Sequence, residues 1–433
     1  METNETSTRP AGAREANDMP NAPLIELSLD GIAQGGDGVG RHEGVVVFAR
    51  GGLPGERVRV RLHERRASYS RGEVVEVLEA APERVAPRVA GNNAPWQHID
   101  YPAQLRFKET IVRDQLAKLA GLREPPVAPI LAAPQPWGYR NTARLHVAGA
   151  TIGYYAAGSH DIVDIAADPL LLPVLNEALA GLRAVLVPDL LRGVTLRASS
   201  AYGYSLAVLD PLPGAPFFDL ELLATAWRSH VPSLAGVSLY DGVEGAASLR
   251  DELGGVIFDL SPLSFFQVNA AQAARMLAIV RERACPAPGG SLLDVYSGAG
   301  TFALPLAEGL AEVTAVEEHP AAVADGERSA ALNNISNVRF IRGAAERALP
   351  GFELAFDAAV LDPPRRGCHP AVLDALARLA PPRLAYISCH PGILARDLGP
   401  LLAAGYALEL VQPVDLFPQT PHIETLVILR ADG

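Results

Sequence analysis

LLDVYSGAGTF (Leu292–Phe302), VLDPPRRG (Val360–Gly367) and YISCHP (Tyr386–Pro391) decide how this chain is read. Each starts as a short apolar strand and ends in glycines, prolines or reactive side chains. Around them, β-type runs at 292–295, 313–316, 338–341, 358–361, 384–387, 406–414 and 425–429 are separated by helical stretches such as 272–283, 321–333 and 370–379. That alternation predicts an α/β domain on a parallel, doubly wound sheet. The last two strands have only a loop between them and read as an antiparallel hairpin at one edge. In such a sheet ligands bind beyond the carboxyl ends of the strands, so the three motifs are expected to converge on one site.

The motif residues suggest what that site does. Asp294 ends a strand, Gly298 and Gly300 form the following turn, and Glu317 ends the next strand, placed to accept hydrogen bonds from a ribose diol. The turn is not GxGxxG and no GK[ST] follows, so a nucleoside cofactor without a pyrophosphate fits, with S-adenosylmethionine the obvious one. Pro363 and Pro364 stiffen the exit from the strand and hold Asp362 at the cleft, while Arg365 or Arg366 can grip a backbone phosphate. Cys389, ahead of His390, is the candidate nucleophile; Cys368, on a loop with no strand to aim it, is the rival. Cys285 reads as a small buried hydrophobe. In the terminal loop Glu424 and His422 are both candidate general bases, and position does not choose between them.

The 433 residues suit two or three domains, and 49% hydrophobic with 20% charged residues is a compact soluble composition. Residues 1–21 are polar and read as a disordered tail, not a signal peptide; apolar runs around 162–191 are broken by Asp164, Asp168, Pro169 and Pro173. A cytoplasmic chain with no membrane crossing is expected. Three cysteines without CxxC spacing leave no metal site to expect. The net charge of −12 argues against a general nucleic-acid binder, yet Arg57, Arg59, Arg61, Arg65, Arg66 and Arg71 face only Glu56 and Glu64 between 56 and 72. Residues 22–80 read as a small antiparallel barrel in which Val58, Val60 and Leu62 point inward and Arg57, Arg59 and Arg61 outward, with Tyr69 offering a stacking surface. Residues 81–125 form a linker and a helix from Tyr101, whose Leu105, Ile111, Val112, Leu116 and Leu119 read as an ordinary packing stripe. Residues 126–260 read as a central α+β unit, and 261–433 as the α/β domain.

Together these residues resemble the S-adenosylmethionine-dependent RNA 5-methyluridine (uracil-5) methyltransferases. The barrel resembles the TRAM domain of members acting on ribosomal RNA, YRNTARL (Tyr139–Leu145) the opening of their central domain, and SPLSFFQVN (Ser261–Asn269) a family signature. The resemblance implies an OB-like barrel, a central α+β RNA-binding domain and a Rossmann-like methyltransferase domain with a seven-stranded sheet. It implies that Gln267, Tyr296, Glu317 and Asp362 contact S-adenosylmethionine, that Cys389 is the nucleophile, and that Glu424, rather than His422, removes the proton. Arg57, Arg59, Arg61 and Arg365 are the expected RNA contacts. The expected enzyme is a monomer methylating carbon 5 of a uridine, with 23S ribosomal RNA favoured over tRNA. An RNA cytosine-5 methyltransferase and a non-catalytic RNA-binding protein are the more distant readings.

Two departures stand out. Many relatives carry a four-cysteine iron–sulfur site, with three cysteines before a QH-x-DY stretch and one ahead of Pro-Leu. Here Gln97–Tyr101 reads QHIDY, but no cysteine lies in 90–96 and Asp168 stands before Pro169-Leu170, so no cluster is expected. The usual Ser-Cys-Asn-Pro is Ser-Cys-His-Pro, so a role given to that asparagine does not pass unchanged to His390.

Overall fold

The computed structural model describes residues 23–89, 93–156, 158–216, 218–239 and 242–431; the tail expected over 1–21 lies outside the described residues. Residues up to Pro82, with 156–160, form one compact unit, and the remainder forms a second.

In the first unit β1 (Leu24–Ile32), β2 (Gly38–His42), β3 (Val45–Arg50), β4 (Arg57–Arg65) and β5 (Tyr69–Glu79) close into a barrel in the order β1-β2-β3-β5-β4. Period-two alternation places Val58, Val60 and Leu62 inside with Leu27, Leu29, Val47 and Ala49, and turns Arg57, Arg59 and Arg61 outward. The all-antiparallel expectation is corrected at one seam, where β3 runs parallel to β5. Strand direction cannot alternate fully around a ring of five, so one parallel pair is unavoidable.

The second unit opens with α1 (Tyr101–Leu119), capped by Asp100, whose side chain accepts from the Ala103 amide at 2.9 Å. A mixed sheet follows: β6 (Thr142–Ala148), β7 (Thr151–Tyr155), β8 (Ile162–Asp164), β9 (Leu191–Ala198), β10 (Ser205–Pro211), β11 (Leu234–Leu239) and β12 (Gly242–Gly245), in the order β12-β11-β10-β9-β6-β7-β8. Helices α2 (Pro173–Val185) and α3 (Leu220–His230) cover it through Leu175, Leu179, Leu182 and Trp227. The hairpin β13 (Leu249–Leu253) and β14 (Val256–Leu260) leads to α4 (Ala270–Arg283).

The larger sheet has the order β17-β16-β15-β18-β19-β21-β20. Its parallel strands are β15 (Ser291–Val295), β16 (Glu312–Glu317), β17 (Val338–Arg342), β18 (Ala358–Leu361) and β19 (Arg383–Ser388). The helices between or after them are α5 (Ala303–Leu306), α6 (Pro320–Leu332), α7 (Ala345–Ala348), α8 (Pro370–Leu379) and α9 (Pro391–Ala403). The hairpin of β20 (Tyr406–Val414) and β21 (Glu424–Ala431) completes it, with β21 antiparallel to both β19 and β20. Strands covered by helices on both faces read as continuous apolar runs, as Ala358–Leu361 and Leu384–Ile387 do. Among the described residues no helix is long and apolar enough to cross a membrane.

Where relatives resembling this chain place a cysteine ahead of Pro-Leu, Asp168 is fully buried and takes hydrogen bonds from the Tyr154 hydroxyl at 2.9 Å and the Leu170 amide at 2.8 Å. Gln97 stitches the opposite segment by accepting from the amides of Arg88 and Val89 and donating to the Val89 carbonyl. Ala94, Tyr139 and Leu170 pack together between them. Asp168→Ala strands a buried hydroxyl and an amide, and is expected to cost about 2 kcal/mol by thermal or urea denaturation. A chelator is expected to leave the wild-type melting temperature unchanged; iron near four per chain would contradict the hydrogen-bonded core described here.

Candidate active site

The turn after β15 is strained in a way that serves a ligand. Tyr296 adopts a left-handed conformation with φ of 64°, unusual for a bulky residue, and Gly298 and Gly300 follow at 56° and 83°. Glu317, at the end of β16, anchors the turn: one carboxylate oxygen accepts from the Gly298 amide at 2.9 Å and the other from the His319 amide at 2.8 Å. Asp294 is fully buried; its Oδ2 accepts from the Ala303 amide at 2.9 Å, and its Oδ1 has no partner among the described residues. Burial pushes this carboxyl well above its ordinary range, and Asp362 and Glu317 push further. Ser297 Oγ is likewise buried without a partner. Native proteins rarely strand buried polar atoms, and two in one glycine-rich turn fit a ligand that brings polar groups of its own.

Asp362, Cys389 and Glu424 come together at the next strand ends. Asp362 leaves β18, Cys389 leaves β19, and β21 begins with Glu424. The antiparallel register Ser388↔Thr425 sets Cys389 across from Glu424 on neighbouring strands. Gln267 Nε2 donates to Asp362 Oδ2 at 3.2 Å, and the Gln267 carbonyl is held by Asn141 Nδ2 at 3.0 Å. Burial raises Asp362 to about 7, against the Gln267 hydrogen bond, and raises Glu424 well above its usual range, with Asp362 adding to the effect and Arg365 opposing it. The Cys389 thiol is pushed up to about 11 by burial, then by Glu424; Arg365 favours the thiolate.

Cys368 stands apart from this group. Its amide donates to Asp397 Oδ2 at 2.8 Å, its thiol is raised to about 12 by burial, and its neighbours are Tyr386, Asp397 and Tyr296. His422 lies against the edge of Phe417, with ring centroids 5.9 Å apart, and is pushed down to about 4 by burial and by Arg365, Lys108 and Arg140. His390 has a local structural explanation: its Nδ1 accepts from the Ile393 amide at 3.1 Å and caps α9, a task asparagine also performs.

The loop between β20 and β21 is held by five donors. The carbonyls of Asp415, Leu416, Phe417, Pro418 and Gln419 accept in turn from Gln272, Asn269, Lys108, the Tyr139 hydroxyl and the Trp96 amide, each at 3.0 Å. Gln104 adds a reciprocal pair with Gln419 at 2.9 and 3.0 Å. The packing stripe expected of α1 is therefore only half correct. Gln104 and Lys108 are fully buried beside Ile111, Val112 and Leu116, whereas Leu119 is 59% exposed. Two polar residues at i, i+4 on that face were the signal available in the sequence. Phe265, two residues before Gln267 in the SPLSFFQVN stretch, is 65% exposed.

On the barrel, Arg57 pairs with Glu26 and Glu79, and Arg59 with Glu26 and Glu76. Arg61 makes no ion pair among the described residues. The alternation was right, but these carboxylates on β1 and β5 offset two of the three charges it displays.

A Rossmann-like sheet with a strained glycine-rich turn after its first strand, and with Cys389 across from Glu424 at later strand ends, fits the class of S-adenosylmethionine-dependent methyltransferases. The tRNA (Uracil-5-)-methyltransferase family matches residues 254–432, and the TRAM domain matches residues 25–75. An uncharacterized RNA methyltransferase of Thermosynechococcus vestitus is 39% identical over 94% of this chain and 97% of its own length. One from Geobacter sulfurreducens is 35% identical over 94% and 90%. The crystal structure of Pyrococcus abyssi tRNA (uracil-54, C5)-methyltransferase with S-adenosyl-L-homocysteine superposes with a TM-score of 0.75 and 25% identity, covering 94% of this chain and all of that one. The chain belongs to the RNA uracil-5 methyltransferase family.

Asp362 supplies a pH test. Below about pH 4 its carboxyl is protonated folded or unfolded and costs nothing; as pH rises towards 7 the unfolded chain sheds the proton first, so stability falls. The melting temperature of Asp362→Asn is expected to gain on wild type across that window and then to run parallel. Curves parallel throughout would mean that the folded value is not raised.

Proposed function

We propose that this enzyme, as a monomer in the cytoplasm, methylates carbon 5 of a uridine in ribosomal RNA, 23S RNA first, through a covalent adduct at carbon 6. The observation that supports this reading most is Cys389 facing Glu424 across two strands, with Asp362 and Gln267 alongside. Carbon 5 of uracil is too weak a nucleophile to act unaided. Addition of the Cys389 thiolate to carbon 6 moves the ring electrons towards the 4-carbonyl as an enolate, which makes carbon 5 nucleophilic. S-adenosylmethionine, when bound, supplies the electrophilic methyl group. Gln267, Tyr296, Glu317 and Asp362 would hold it, and the partnerless Asp294 Oδ1 and Ser297 Oγ line the same turn. Glu424 then takes the carbon 5 proton, the carbon 6–sulfur bond breaks, and its electron pair returns to Cys389. The raised proton affinity of Glu424 suits a base, provided that the group is ionised when it acts.

The target base must leave its stack to reach a half-buried thiol, and Phe265 offers a face for an unstacked base. Arg365 beside the nucleophile and Arg61 on the barrel are the guanidiniums best placed for phosphates, with Arg57 and Arg59 contributing after exchanging their carboxylate partners. Two findings favour a transfer-RNA substrate: the family matching residues 254–432 is named for tRNA, and the Pyrococcus abyssi enzyme, named for a tRNA uridine, superposes on 94% of this chain, so full-length architecture does not by itself select ribosomal RNA.

Transcripts of both RNA classes, incubated with labelled methyl donor, test this reading. Label in ribosomal RNA alone supports the first substrate and label in tRNA alone the second; no label in either contradicts the proposed activity. Cys389→Ala is expected to abolish transfer while retaining cofactor binding. Glu424→Gln is expected to accumulate a labelled RNA–protein adduct on denaturing gels, absent when Cys389 is also replaced. An adduct that survives loss of Cys389 would move the nucleophile elsewhere.

A further inference from the structure

Lys108 and Asp415 are both fully buried, and their ammonium and carboxylate meet at 2.5 Å. Burying such a pair costs several kcal/mol of desolvation per ion, and apolar residues of similar volume often stabilise a core as well or better. Stability alone is therefore a poor account of these charges. Their placement gives a better one. Asp415 directly follows Val414, the cross-strand partner of Glu424, so it begins the loop that returns the chain to the general base. Its second carboxylate oxygen accepts from the Tyr101 hydroxyl at 2.7 Å, and that hydroxyl accepts from the Ala133 amide at 2.7 Å. Lys108 Nζ makes a further bond to the Phe417 carbonyl at 3.0 Å and lies 5.6 Å from the Trp96 ring centroid. One ammonium thus ties α1 to two points of the loop on the approach to His422 and Glu424.

We propose that Lys108 is a positioning residue for the elimination step: through Asp415 and the Phe417 carbonyl it sets the Glu424 carboxylate where it meets the carbon 5 proton. The inference rests on the proposed adduct chemistry. In that step the proton passes from carbon 5 to Glu424, the carbon 5–carbon 6 double bond re-forms, and sulfur departs with its bonding electrons. Cys389 and Asp362 stand at the ends of β19 and β18, whereas the hydrogen bonds of Lys108 go to Asp415 and the Phe417 carbonyl in the loop. Loss of the ammonium therefore slows elimination more than attack or methyl transfer. The other donors to the loop, Asn269, Gln272, Tyr139 and the Trp96 amide, remain, so the loop stays folded.

The test compares full-length wild type, Lys108→Met, Lys108→Met with Asp415→Asn, and Glu424→Gln, each with an RNA transcript that the wild type methylates. The double variant removes both charges and guards against misfolding of the single one. For the double variant a melting temperature close to wild type and a cofactor affinity within about threefold of it are expected, with adduct formation close to wild type. Adduct decay is expected to slow at least tenfold, a loss of about 1.4 kcal/mol or more in transition-state stabilisation. Equal slowing of formation and decay, decay at the wild-type rate, or no adduct at all would overturn the role of Lys108, provided that Glu424→Gln accumulates adduct. If Glu424→Gln accumulates none, the adduct chemistry itself falls, and this inference with it.

Discussion

Asp362, Cys389 and Glu424 are crowded together at neighbouring strand ends, where Arg365 is the guanidinium that favours the ionised forms of Cys389 and Glu424. Burial raises the proton affinity of all three, and the neighbouring carboxyls add to it at Cys389 and Glu424. That cost is tolerable only if the surrounding elements cannot relax away from it. The parallel strands β18 and β19 fix two of the acids through sheet register, and β21 brings the third in antiparallel from the edge. Gln267 approaches from the segment ahead of α4, held by Asn141 at the start of the central sheet. The pocket is thus built from four separate pieces of the second unit.

Around it, polar burial does much of the positioning. Arg197 donates to the carbonyls of Ser261, Pro262 and Ser264 and holds the approach to Gln267. Asp397 accepts from the Cys368 amide and the Tyr386 hydroxyl, and pins the turn after Pro364 to β19. Gly367 sits there at φ of 79°, where a Cβ would come within 2.4 Å of the Asp397 carboxylate. These bonds join the elements that carry Arg365 and Cys389.

The larger sheet was legible because buried parallel strands are continuous apolar runs and end in the residues that carry chemistry. The strand-end rule anticipated that the motifs carrying Asp362 and Cys389 meet, whereas Glu424, at the start of the antiparallel β21, was singled out only by its place in the hairpin loop and by the family resemblance. The polar contacts are what local sequence pattern does not reveal. Gln104 and Lys108 sit on a helix whose apolar residues suffice to explain a packing face, and their partners, Gln419 and Asp415, lie more than 300 residues away. Asn269 caps α4 by accepting from the Gln272 amide while donating to the Leu416 carbonyl, and the Gln272 side chain donates to the Asp415 carbonyl. On the barrel the arginine alternation was visible, but the pairing of β1 and β5 with β4 that brings Glu26, Glu76 and Glu79 alongside was not. Local pattern reveals which face a residue takes, and only topology reveals who meets it there.

The central claim is that the methyl group replaces hydrogen at carbon 5 of uracil. RNA carrying tritium at carbon 5 of its uridines, methylated by the wild-type enzyme, measures this most directly. The account predicts one tritium released to water for every methyl group incorporated, with both stopping together when Cys389 is replaced by alanine. Methyl incorporation without tritium release would place the methyl group on another atom and contradict it.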